Sequence, residues 1–173
     1  LTPEKSTNLT FGLGFNPTKN LSITVDYYSI TIKDRIVYSS SINTNDKLLV
    51  NPTTELGRIL KGASVGAGTY DLASVQFFIN GVKTKTQGID LVLNYKNIAL
   101  GSGKLGINLA GNYTLSNEIV GTPNEPAAIK SANASILSSQ IKSLLTEGRP
   151  QYKAVLGFDY NLNKFGVSLN NTL

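Results

Sequence analysis

The sequence is 173 residues long, carries a formal net charge of +5, and contains no Cys, His, Met or Trp. Without Cys there are no disulfides or thiolate metal sites, and without His the commonest general base and metal ligand is missing; neither an enzyme's catalytic set nor a cofactor site is expected. The excess charge is spread along the chain rather than clustered beside aromatics, which argues against nucleic acid as a partner, and no apolar run approaches the roughly 18 residues of a membrane helix.

Chain order then supplies the pattern. In Leu9-Thr10-Phe11-Gly12-Leu13-Gly14-Phe15 each odd position is large and apolar and each even one small or polar, the period of a β-strand with two unlike faces. Asn16 to Asn20 reads as a turn, with Pro and Asn supplying the chemistry. Leu21, Ile23, Val25 and Tyr27 then alternate with Ser22, Thr24 and Asp26, in a strand running on towards Tyr38. The apolar phase switches near Tyr28, which implies a bulge or an exit from an apolar zone. Ser39 to Ser74 loses the rhythm and reads as a long loop, with a helix-like patch around Glu55 to Lys61.

Alternation returns at Val75, Phe77 and Ile79. It is expected to continue through Asn80-Gly81 as one long strand with a bulge, reaching Ile89, Leu91, Leu93 and Tyr95 against Asp90 and Asn94. The glycines of Lys96 to Lys104 form a second short turn. Leu105, Ile107, Leu109, Tyr113 and Leu115 then oppose Gly106, Asn108, Ala110, Asn112 and Thr114. From about Glu118 to Gly148 comes a second excursion, where Ile136, Leu137, Ile141, Leu144 and Leu145 recur at helical spacing. This predicts an amphipathic helix over about Ala128 to Leu145, packed on the rim of the sheet. Tyr152 to Tyr160, a turn at Asn161 to Lys164, and Phe165 to Leu169 form the third hairpin.

The expected fold is all-β: an antiparallel up-and-down meander of about six strands (8–15, 20–38, 75–95, 104–117, 150–160 and 164–173), with long loops 39–74 and 118–149. Short and long connections alternate, as in outer-membrane barrels. The polar face is mild, made of Asn, Thr, Ser, Gly and isolated Asp, where a soluble sheet would present dense Lys and Glu. Ten alternating residues rise roughly 33 Å, and tilted near 45° they cover about 23 Å, close to the apolar band of a barrel. Periodicity alone also fits a soluble antiparallel sheet.

Two stretches resemble TonB-dependent receptor barrels. Pro3-Glu4-Lys5-Ser6, Gly12 to Phe15 and Asp26-Tyr27-Tyr28 are similar to a segment of that family in which "P-E-K-S" precedes a strand, a short turn and a "D-Y-Y" strand; Ile32 to Ile36 fits the same segment. Asn80 to Asp90 resembles the family's "N-x-x-x-x-x-T-x-G-x-D/E" strand, and Arg149-Pro150 opens the next strand as in the family. The resemblance implies one partial barrel domain over residues 1–173, from the C-terminal half of a barrel of about 22 strands. The plug domain and the segment that engages TonB would lie elsewhere in a longer precursor, an expectation that the lack of Met also suggests.

It further implies an outer-membrane receptor that imports a scarce nutrient such as a ferric siderophore. The expected partners are TonB, the plug, a lipid bilayer and an extracellular small-molecule or metal-chelate ligand met by the two long loops. Asp26, Asp90, Asn94, Asn108, Asn112 and Asp159 are the lumen-facing candidates. Lys33-Asp34-Arg35 is expected to form a salt-bridge cluster at the rim. The alternatives are a passive porin-like channel and a soluble antiparallel β domain that binds a ligand. The Gly-x-Gly pairs at 12, 66 and 101 open no predicted helix, which a phosphate loop requires, and are read as structural.

Overall fold

The computed structural model describes residues 1–43, 74–131 and 134–173. Most of the first long loop, with its helix-like patch and the pair Gly66-x-Gly68, lies outside the described residues. A six-stranded sheet has the order β1-β2-β5-β6-β7-β8, and a small two-stranded sheet pairs β3 with β4. The strands are β1 (Lys5–Thr18), β2 (Leu21–Tyr38), β3 (Ile42–Asn43), β4 (Ser74–Val75), β5 (Phe78–Leu100), β6 (Gly103–Ile119), β7 (Tyr152–Leu162) and β8 (Phe165–Thr172). Helices α1 (Ala127–Ser131) and α2 (Ser139–Thr146) lie between β6 and β7. The six-strand antiparallel meander is the one that the alternation predicts.

The turns explain themselves locally. Lys19-Asn20, Gly101-Ser102 and Asn163-Lys164 each close a hairpin with two residues. Gly101 (φ 60°) and Asn163 (φ 52°) take the left-handed backbone that such turns demand. β1 runs through Pro17, and the turn follows at Lys19-Asn20. β5 passes through Asn80-Gly81 without a turn. In β2 the backbone irregularity falls at Asp34 (φ 55°), further along than the phase switch near Tyr28. At the switch itself the Tyr27 hydroxyl bonds Gln87 of β5 and the Tyr28 hydroxyl bonds Asn112 of β6.

Residue contacts divide the chain into two compact units. One comprises Leu1–Lys5, Ile32–Thr84 and Ile119–Thr146. It holds the buried core: Val37, Ile42, Val82, Ile129, Ile136 and Leu137, with Phe77, Ile79, Ile119, Ile141 and Leu145 packed against it. Each fully buried aliphatic side chain here stabilises by about 1.5–3 kcal/mol. Thus the helical segment does pack its apolar side on the strand ends, through Ile141 and Leu145.

The expected single helix is interrupted between α1 and α2, and the reason is tertiary. Ile136 N–H donates to Glu125 Oε1 (3.2 Å), and its carbonyl accepts Ser40 N–H (2.8 Å). With both backbone groups engaged elsewhere, Ile136 cannot enter a helical ladder. α2 restarts after Ser138, whose Oγ accepts Ile141 N–H (3.3 Å) as an N-cap does.

The second unit comprises Ser6–Thr31, Lys85–Glu118 and Glu147–Leu173, and here register sorts the side chains. Leu105, Ile107, Leu109 and Tyr113 of β6 stand opposite Tyr160, Phe158, Leu156 and Tyr152 of β7. Phe158, Tyr160 and Leu162 in turn face Leu169, Val167 and Phe165 of β8. The other face carries Gly106 against Asp159 and Asn108 against Gly157, then Ser168 and Asn170.

Candidate functional site

The site of interest in the second unit is the contrast between its two faces. The apolar face is bare. Phe11, Leu13 and Phe15 on β1 are each more than 60% exposed, as are Phe165, Val167 and Leu169 on β8. Strands with neighbours on both sides show the same: Val25, Tyr95, Tyr113 and Leu115 are all exposed. A sheet folded in water buries such a row against a second layer. None covers these side chains among the described residues, and the closed core of the other unit is built from different ones.

The polar face is knit by hydrogen bonds. Asp159 accepts Asn108 Nδ2 at Oδ2 (2.7 Å) and Ser168 Oγ at Oδ1 (2.5 Å), so one carboxylate ties β6, β7 and β8. Asn112 Nδ2 donates to Asp90 Oδ1 (2.7 Å) and to the Tyr28 hydroxyl (3.1 Å), tying β6 to β5 and β2. Asp26 sits beside Gly12, where any side chain would collide with its carboxylate. Asn94 lines a basin with Lys19, Asn20, Ser22 and Lys96. A second basin of about 370 Å3 is lined by Lys96, Lys104, Asn108, Asp159 and Ser168, among others.

The structure therefore joins Asn108 to Asp159 and Asp90 to Asn112. It leaves Asp26 and Asn94 outside both clusters. Sequence reasoning missed Tyr28 and Ser168. Ser168 was visible as a polar-phase position, whereas Tyr28 was hidden by its aromatic ring. A carboxylate held by neutral amide and hydroxyl donors is a structural cross-tie that leaves the face mildly charged.

Cross-strand contacts also give the motif residues physical roles. In the first unit the Asn80 side-chain amide pairs with the Thr2 backbone, accepting its N–H (2.7 Å) and donating to its carbonyl (2.8 Å). The same Nδ2 donates to the Asp34 carbonyl (2.6 Å), and Glu4 Oε1 accepts Ile36 N–H (2.7 Å). Arg35 Nη1 donates to Thr84 Oγ1 (3.1 Å). Arg35 through its side chain and Asp34 through its backbone carbonyl thus bond across to β5. In the second unit Thr86 Oγ1 donates to Asn117 Oδ1 (2.8 Å), and Gln87 Nε2 donates to the Tyr27 hydroxyl. Gly88 lies under the Tyr28 ring, where a Cβ would also come within 2.8 Å of the Tyr113 carbonyl oxygen.

An antiparallel meander with one face bare and apolar and the other polar and internally bonded is the wall of a transmembrane β-barrel. The sequence profile of the family described as "TonB dependent receptor-like, beta-barrel" matches residues 1–172. The chain belongs to that family. Membership supports an outer-membrane receptor and transport role, with TonB and a plug domain as general partners. No curated protein and no solved structure matches the chain.

Proposed function

We propose that this chain forms barrel wall in a receptor that binds a scarce, bulky nutrient outside the cell and imports it with energy relayed by TonB. A ferric siderophore or similar metal chelate is the cargo in this reading. The observation that carries it is the bare apolar row on β2, β5 and β6, strands already flanked on both sides, opposite a hydrogen-bonded polar face. Family membership supports it independently. In this reading Asp26, Asp90, Asn94, Asn108, Asn112 and Asp159 line the lumen, and loops 39–74 and 118–149 meet the ligand together with the plug.

The test is growth and radiolabelled uptake on ferric siderophores as sole iron source, in strains lacking either this protein or TonB. Uptake of at least one chelate is lost in both strains and restored by complementation. Uptake that persists without TonB makes the protein a passive channel and overturns the proposal.

A further inference from the structure

In the second unit the short-turn end of the sheet carries charge of one sign. Segments 16–22, 96–104 and 160–166 make the three hairpin turns and their strand ends. They hold four lysines (Lys19, Lys96, Lys104 and Lys164) and no Asp or Glu. The carboxylates of this unit lie further along the strands, at Asp26, Asp90 and Asp159, or towards the opposite end, at Glu118 and Glu147. Strand pairing draws the lysines into a row. Lys96 N–H donates to the Asn20 carbonyl (2.8 Å), and Lys104 stands opposite Asn161.

Lys96 and Lys104 belong to the polar face. Lys104 sits between Gly103, which lies under the Tyr160 ring, and Leu105, which pairs with Tyr160 on the apolar face; alternation turns it the other way. Lys96 follows Tyr95 and lines both polar-face basins. It meets Asn94 and Lys19 in one, and Lys104, Asn108 and Asp159 in the other. Asp159 has both oxygens taken, by Asn108 and Ser168. Lys19, Lys96 and Lys104 are exposed, and among the described residues no carboxylate is ion-paired with them.

An ammonium only donates, and like charges gathered along one concave wall draw an anion to it. Lipid lies on the wrong side to be that anion, since it meets the face of Phe11, Leu13 and Leu169 while both basins open on the opposite one. The three cations run from the β1–β2 turn to β6, across about 10 Å at roughly 4.8 Å per strand. That row suits an extended partner with several negative charges better than one small ion. We propose that it seats an acidic segment of the plug, whose carboxylates reach Lys96 and Lys104, with Lys19 at the margin. The row then holds the plug at the short-turn end of the lumen. This rests on the polar face being the lumen of a receptor barrel, and on no particular cargo.

Cross-linking of the full-length receptor in its native membrane tests the seat. A water-soluble carbodiimide joins an amine only to a carboxylate in contact with it, whereas an amine-reactive photocross-linker joins the same lysines to whatever is near. Peptide mass spectrometry is expected to find Lys96 or Lys104 joined by carbodiimide to an Asp or Glu of the plug. The double variant Lys96→Glu/Lys104→Glu sets carboxylate against carboxylate. It raises entry of a bulky hydrophilic antibiotic about tenfold by loosening the plug, and Lys96→Arg/Lys104→Arg keeps the parent's exclusion. Heat-modifiable electrophoretic mobility shows the barrel folded in both. If the photocross-linker reaches the plug but carbodiimide joins it at neither lysine, or if the double reversal admits no more antibiotic, the seat is overturned and the receptor stands. Carbodiimide products with a second copy of the chain or a separate protein overturn it too. If neither reagent finds a plug, the seat and the receptor reading go together.

Discussion

At the scale of single residues, the polar positions that make the sequence recognisable are those that reach across strands. Asn80, Thr86 and Asp90, all on β5, reach across to neighbouring segments: Asn80 to Thr2 and Asp34, Thr86 and Asp90 to Asn117 and Asn112 of β6. Gly88 belongs to the same series by what it lacks. The Tyr28 ring fills the space its side chain would take, with the hydroxyl carried on to Asn112. Gly88→Ala therefore forces a Cβ against both a ring and the fixed carbonyl oxygen of Tyr113. Overpacking of this kind costs about 1–3 kcal/mol. Tyr28→Phe removes only the hydroxyl bond, about 0.5–1.5 kcal/mol. Urea unfolding of the protein refolded into lipid vesicles checks the order of the two, with Gly88→Ala the more damaging. A Gly88→Ala protein as stable as the parent would mean that ring and glycine do not lie together.

Elements differ in how much of them the sequence carries. Strands were legible because the two faces see different solvents, and a period of two survives even where glycine or tyrosine replaces the expected residue. The polar-face clusters were half legible. Alternation placed Asn108, Asn112, Asp90 and Asp159 on one face, but partnership depends on register between strands, which alternation leaves open. The interrupted helix was not legible at all. Ile136, Leu137, Ile141 and Leu145 do keep helical spacing, yet Ile136 gives its N–H to Glu125 and its carbonyl to Ser40, a residue far away in sequence. Glu125 is the pivot, since Oε1 also accepts Ser135 Oγ (2.6 Å). Removing the carboxylate leaves the amide of a fully buried residue without its acceptor, at about 1–3 kcal/mol. Glu125→Ala is expected to expose the 127–146 segment to limited proteolysis at least several-fold faster, while Glu125→Gln, which keeps an acceptor oxygen, holds close to the parent rate. Equal cleavage of parent and Glu125→Ala would remove Glu125 from this role.

For the molecule as a whole, the decisive question is which solvent the apolar face meets. Val25 lies in the middle of the alternating run of β2, on a strand paired on both sides, and is 40% exposed. If that face meets water, Val25→Arg is an ordinary surface change, worth no more than about 0.5 kcal/mol in either direction. If it meets hydrocarbon, the guanidinium must be carried into the apolar band, at about 2–4 kcal/mol near the midplane of a barrel. Asn94→Arg, on a basin beside Lys19 and Lys96, supplies the contrast, because a hydrated polar face accepts the same charge at little cost. In lipid vesicles Val25→Arg is expected to lower the urea midpoint sharply, with Asn94→Arg close to the parent. The asymmetry should shrink in a small-micelle detergent, where water reaches the strand more easily. The reverse order of the two variants would put water on the apolar side, and with it would go the membrane, the barrel and the transport role built on them.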